Sequence, residues 1–220
     1  MMFIKPGYIK PVIILLISLV PLGMNAQISW ALKKDKEDIK VYTGTTPNSS
    51  FKSVRVTTIL PGTLSQLAAL LLDVDAHKDW VYSTKHSYLV KQVSPREQIY
   101  YSEIDLPWPL ANREIVVLMN INQDPVSKVM IVKIENAENK IAVKSGTVRV
   151  PASSVTWRVT PLDKDSVSIE YFGQADPGGN VPAWAANSFC TKGPFETFKS
   201  LRKLISSPEY ANASFDFIRE

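Results

Sequence analysis

DPGGNVPAWAANSF, residues 176–189, is a turn that feeds a helix. Paired glycines reach backbone angles that other residues adopt only at a steric cost. Pro182 suits the entry of a helix, where a missing amide hydrogen costs nothing. From Ala183 to about Ser206, residues Trp184, Ser188, Thr191, Phe195, Phe198 and Ile205 recur at helical spacing. Pro194 falls inside this run and is expected to bend it, because it removes one backbone donor. Arg202 and Lys203 suit the negative end of the helix dipole. A helix carrying such large apolar groups needs a surface to lie on.

The preceding residues supply a sheet. In SVTWRVT, Val155, Trp157 and Val159 face one way, opposite Ser154, Thr156, Arg158 and Thr160. SVSIEYFGQA repeats the pattern with Val167, Ile169 and Tyr171. Clean alternation means antiparallel strands with one wet face. QIYYSEIDL, NREIVVLMN and KVMIVKIE are apolar on both faces and are expected to be central. Earlier, a short amphipathic segment around Trp30 and Leu32 precedes a strand at Ile39–Thr43, and FKSVRVTTIL alternates through Val54, Val56 and Leu60. Thr63-Leu64-Ser65-Gln66 fits a capping box opening a helix to about Asp73, with a second short helical piece in AHKDWVY. The fold class is α+β: a curved antiparallel sheet gripping a long C-terminal helix. The space between them is either a filled core or a cavity.

Residues 1–26 have the layout of a secretory signal peptide: Lys5 and Lys10, an apolar run from Val12 to Val20, and small or polar residues near Ala26. The run is too short to span a bilayer. Its removal takes two lysines and no acid, so the formal charge of +4 falls to +2. Basic residues form no stripe, which argues against a nucleic-acid partner. Cys190 is the only cysteine, so no internal disulfide is possible. The expected organisation is signal peptide 1–26, one domain over 27–206, and a tail over 207–220 with no clear pattern and loose docking. The mature chain is expected to be an exported, soluble monomer, periplasmic or secreted.

LPWPLANREIV, WRVTP, DPGGNVPAWAANSF and GPFETFKSLRKLI closely resemble, in order and spacing, the START family of lipid-transfer domains. WALKKDKEDIKVYTG resembles that family's opening, and DVDAHKDW its helix followed by a tryptophan. The resemblance implies a helix-grip fold with a tunnel for one lipid or sterol-like apolar ligand, without a cofactor. It also implies that the C-terminal helix is a lid, with Gly178-Gly179 as its hinge and Trp184 buried against the tunnel roof. Transient contact with a membrane surface follows from such a role.

The resemblance puts an inward acid and base at about Glu103 and Arg113, where such a pair meets a ligand's polar head. The favoured alternative for Arg113 is that it holds the PWPLA loop through carbonyls. Met119 stands near the place where sterol-binding relatives often have a second base, which suggests a more apolar tunnel wall. Trp108, between two prolines, either meets a membrane or tunnel mouth, or plugs a core gap beside Trp80. Trp157, Tyr171 and Trp184 are expected inward, with Ser188 and Phe195 on the same helical stripe. Asp73, Asp75 and His77 lie where a helix ends, so capping explains them better than a metal. His86 has no evident acidic partner, and Cys190 reads as a small buried apolar group.

Nucleophile, phosphate-loop and metal motifs are absent from the sequence. The leading function is therefore non-enzymatic binding, with possible transfer, of a lipid or other apolar molecule. Two alternatives stand beside it. One is a cyclase- or hydrolase-type enzyme drawing on Glu103, Arg113, Tyr101 and Tyr171; the other is an adaptor with a filled core. Export predicts a mature N-terminus at Gln27. N-terminal sequencing of exported material that still begins at Met1 would refute it.

Overall fold

Thr63 and Gln66 exchange the two bonds of a capping box: Gln66 N donates to Thr63 Oγ1 at 3.2 Å, and Thr63 N donates to Gln66 Oε1 at 2.9 Å. They open α1 (Leu64–Leu72), which Asp73 closes. Asp73 also caps the single turn Val74–Ala76 that leads into α2 (His77–Trp80). These elements belong to a computed structural model that describes Met2 and residues 28–45, 49–137 and 141–220. The signal-peptide reading, apart from Met2, lies outside the described residues.

The strands are β1 (Ser29–Lys36), β2 (Ile39–Thr45), β3 (Ser53–Pro61), β4 (Thr84–Ser94), β5 (Glu97–Ile104), β6 (Asn112–Gln123), β7 (Met130–Asn136), β8 (Thr147–Arg149), β9 (Ala152–Asp163) and β10 (Ser166–Asp176). They form one open sheet in the order β1-β2-β3-β10-β9-β7-β6-β5-β4, with β8 added in parallel beside β6. Every other pairing is antiparallel. The segment around Trp30 and Leu32 is itself a strand, β1. Its edge position explains the weak pattern: Trp30 packs on Phe172 while Leu32 is half exposed.

The C-terminal helix α3 (Ala183–Leu204) follows Pro182 and contains Pro194, which cannot donate to the carbonyl of Cys190. α3 packs on β1, β2 and β3 and against α2. Phe195, Phe198, Leu201 and Ile205 enter one core with Leu64, Leu67 and Leu71 of α1, Val56 and Leu60 of β3, and Ile169 of β10.

The tail is firmly held, not loose. Tyr210 and Ile218 are buried in the same core, and Phe215 and Phe217 pack against it. Tyr210 OH donates to Asp73 Oδ2 at 2.9 Å. Gln123 exchanges bonds with the backbone of Arg219 at 2.7 and 2.8 Å. The Glu220 carboxylate accepts from the first amides of α1, Leu64 N at 3.0 Å and Ser65 N at 2.8 Å. Sequence periodicity missed this because the segment packs through turns.

A carboxylate on two orphan amides at a positive helix end stabilises it. Glu220→Ala is expected to cost about 1 kcal/mol, less in high salt. Denaturant titration checks this; an unchanged midpoint at low salt would show that the tail adds nothing to α1.

Candidate functional site

Between the concave face of the sheet and α3 lies a cavity of 460 Å³. Its lining is mostly apolar. β6 contributes Ile115, Val117 and Met119, β9 Val155 and Trp157, and β5 Tyr100 and Ile104. α3 turns Ala186, Phe189, Cys190, Gly193, Thr197 and Phe198 toward it, which is an i, i+3, i+4, i+7 stripe. One end is framed by Leu106 and Leu110 of the loop after β5 and by Pro177 and Val181 of the turn before α3. α2 supplies His77 and Trp80.

Trp157, Tyr171 and Phe198 meet inside, with Trp157 5.2 Å from Tyr171 and 5.1 Å from Phe198 between ring centres. Gly173 makes room for this. A Cβ there would stand 2.6 Å from the Tyr171 hydroxyl, so any side chain would push the tyrosine away. Burial, then the nearby Cys190 thiol, pushes the Tyr171 hydroxyl up to about 12, so it stays protonated. Burial raises the Tyr100 hydroxyl too. His77 stacks edge-on with Trp80 and Tyr100, and its Nε2 lies 3.0 Å from the Leu71 carbonyl, which fixes it as the donor. Burial holds its pKa below the ordinary histidine value, against the opposing pull of that bond and of Asp73 and Asp75. Asp73 accepts from Ala76 N and Tyr210 OH, as a cap would. Among the described residues no cluster of histidine, cysteine and carboxylates has metal-binding geometry.

Arg113 lines the cavity but is spent largely on loops. Its Nε donates to Pro177 O at 2.9 Å, one terminal nitrogen to Ala111 O at 2.5 Å, and the other to Gly178 O at 3.1 Å. The loop-holding alternative therefore describes the geometry and extends to the turn before α3. That turn has φ of +66° at Gly178, where a Cβ would also come within 2.9 Å of Pro151. Proline cannot adopt this angle, so stiffening the turn with proline would break it.

Glu103 does not meet Arg113. On β5, Tyr100, Ser102 and Ile104 face the cavity, which sends Tyr101 and Glu103 to the other face. There Glu103 lies opposite Glu114 across the β5–β6 pair. Both are buried, at 2% and 0% exposed. Glu103 accepts from Lys144 Nζ at 2.6 Å and Asn112 Nδ2 at 2.9 Å. Glu114 accepts from Arg149 Nε at 2.8 Å, Tyr101 OH at 3.0 Å and Lys144 N at 3.2 Å. Burial alone would raise both carboxyl pKa values. The Lys144 and Asn112 bonds to Glu103, and the Arg149, Lys144 and Tyr101 bonds to Glu114, outweigh it and hold both below the usual range. This network fastens Lys144 and Arg149 over the second face.

The remaining expectations divide. Met119, Trp157 and Tyr171 line the cavity. Phe195 is buried but points into the core beside β1, with Lys34 Nζ 3.4 Å above its ring. Trp184 is 77% exposed, not buried against a roof, because the cavity stripe runs through Ala186 and Cys190 instead. Trp108 is 92% exposed, so it plugs no gap beside Trp80. The Ser188 side chain lies outside the described residues. Sequence reasoning missed Tyr100, Ser102, Trp80 and His77. The alternation of Tyr100, Ser102 and Ile104 was visible, but nothing marked which face was inward.

An open antiparallel sheet, a C-terminal helix laid across it, and an apolar cavity between the two define a helix-grip domain. The chain belongs to the START domain family, whose model matches residues 22–209. An uncharacterised protein of Pseudomonas aeruginosa is 29% identical over 174 residues, 79% of this chain and 85% of that protein. Mouse phosphatidylcholine transfer protein is 24% identical over 162 residues, 72% of this chain and 75% of that protein. The crystal structure of a STAR-related lipid transfer protein fragment from Xanthomonas axonopodis is 30% identical, with a TM-score of 0.74 over 81% of this chain and 99% of that one. Human STARD10, at 18% identity and a TM-score of 0.71 over 82% of this chain and 75% of that one, shares the fold.

The carboxylate network carries a pH signature. Both folded-state values are depressed, so its stabilisation is present above the ordinary carboxyl range near about 4.3 and is lost as pH falls through the folded values. Glu114→Gln is expected to cost about 2–3 kcal/mol near neutral pH and to flatten the acid limb. Denaturant midpoints from about pH 3 to 7 check this, and an unchanged acid limb would dismiss the network as a source of stability.

Proposed function

We propose that this protein is a non-enzymatic carrier of a lipid or other apolar small molecule, held between the sheet and α3. The observation that carries the reading is the 460 Å³ cavity with its mostly apolar lining. Its size falls in the range of small-molecule sites, about 300–1,000 Å³. A family that includes lipid-transfer proteins supports the same reading. An enzyme would need an acid–base pair within reach of one substrate atom. Glu103, the acid named for that role, faces the other side of the sheet, and the cavity lining holds no carboxylate among the described residues.

The proposal includes transfer at a membrane surface. Trp108 lies between Leu106 and Leu110, and Trp184 between Val181 and Ala186; these four neighbours line the cavity. The two exposed indoles thus sit on separate segments, each flanked in the chain by cavity-lining residues. Indole suits a membrane interface, having an apolar body and one polar donor. Among the described residues no helix is long and apolar enough to cross a membrane. Export remains part of the proposal on the N-terminal pattern alone.

Mass spectrometry of an organic extract of purified protein tests the carrier reading. A stoichiometric lipid-like molecule is expected, and neither such a molecule nor uptake of fluorescent lipid from vesicles would overturn it. For the membrane step, Trp108→Ala with Trp184→Ala should slow vesicle-to-vesicle transfer several-fold. Both side chains are exposed, so each is expected to change stability by only about 0.5 kcal/mol. Unchanged transfer by the folded double variant would remove these residues from the docking surface.

A further inference from the structure

The cavity's charges are unbalanced. Arg113 is 5% exposed, and among the described residues its terminal nitrogens and Nε meet only carbonyl oxygens. A guanidinium has five N–H groups, so the three used here leave two. No carboxylate forms an ion pair with it among the described residues. A buried cation without a counter-charge is costly, and carbonyl dipoles offset only part of that cost. Lys52 is a second cation on the same lining, and it too has no ion pair among the described residues. Its backbone N–H donates to Asn187 Oδ1 at 2.9 Å, which ties it to the first half of α3. α3 begins nearby with no side-chain cap and no acid in its first turn. A helix start of that kind is itself weakly positive. Two further polar groups of the lining, Trp80 Nε1 and Trp157 Nε1, are buried without a partner among the described residues, and an indole nitrogen can only donate.

We infer that the ligand is an amphiphile with an anionic oxyacid head, a carboxylate or a phosphate monoester, seated toward Arg113 and Lys52. Its alkyl part runs along Met119 and Val117 toward Trp157 and Phe198. The inference rests on the carrier reading and names its ligand class. A positively charged head would meet two cations and no anion. A neutral head would leave the Arg113 charge uncompensated.

Paired ligands that differ only in head charge test this. The first pair is cis-parinaric acid and its methyl ester, both fluorescent, titrated at about pH 8, well above the ordinary carboxyl range. The second is a phosphatidic acid and the diacylglycerol with the same chains, used as competitors. At least one anionic member is expected to bind about tenfold or more tighter than its neutral partner, the scale of one charge-assisted contact. Neutral members that bind as well or better in both pairs overturn the inference while leaving the carrier reading intact. If no member of either pair binds, both fall together. Arg113→Gln should narrow the acid-over-ester preference several-fold. If melting curves show that variant unfolded, because it frees three carbonyls, Lys52→Gln serves, since its backbone bonds remain. An unchanged preference in the folded variant also overturns the inference.

Discussion

A single buried guanidinium joins the parts of this molecule that chain connectivity leaves apart. Arg113 sits at the start of β6 and holds carbonyls of Ala111, Pro177 and Gly178. The first belongs to the loop after β5 and the other two to the turn before α3. These two segments frame one end of the cavity. Backbone carbonyls there would otherwise need water or another donor, because buried polar groups are rarely left unpaired. One planar side chain with several donors satisfies three of them at once. Lysine has a comparable charge but no fixed fork, so it would not reproduce the arrangement.

The sheet carries an apolar cavity on one face and a buried network of charges on the other. Glu103 and Glu114 would repel if left alone across the β5–β6 pair. Lys144, Arg149, Tyr101 and Asn112 supply the compensating donors and cover them with residues 141–149. Asn112 ties the two systems: it donates to Glu103 and accepts from Leu106 N at 3.2 Å, one residue before the Arg113 that grips the turn. The loop carrying Trp108 is thus positioned from both faces of the sheet.

Conformational freedom sits where side chains are small. Gly173 lets Tyr171 lie back along its strand, and Gly178 turns the chain through an angle that other residues adopt only at a cost. Nevertheless, the glycine turn is not a free joint, because two of the carbonyls around it are bound to Arg113. Movement of α3 would have to break those bonds or carry them along.

By itself the sequence determined the elements whose signals are local. The Thr63–Gln66 capping box, the alternation of β9 and β10, the long C-terminal helix and the paired glycines before it rest on spacings of a few residues. The structure reproduces each. Trp157 and Tyr171 fell on the cavity side for the same reason, whereas Met119 of β6 was placed there by the family resemblance. Tertiary structure decided what depends on partners distant in the chain. It sent Glu103 away from Arg113, because β5 and β6 are apolar on both faces and alternation cannot say which one faces inward. It exposed Trp184, because α3 has two apolar directions, one toward the cavity and one toward β1–β3. It docked the tail through Tyr210, Ile218 and Glu220, whose partners Asp73, the core and α1 lie far back in the chain. Local periodicity encodes an element and its faces; which face meets which neighbour is set only when the whole core closes.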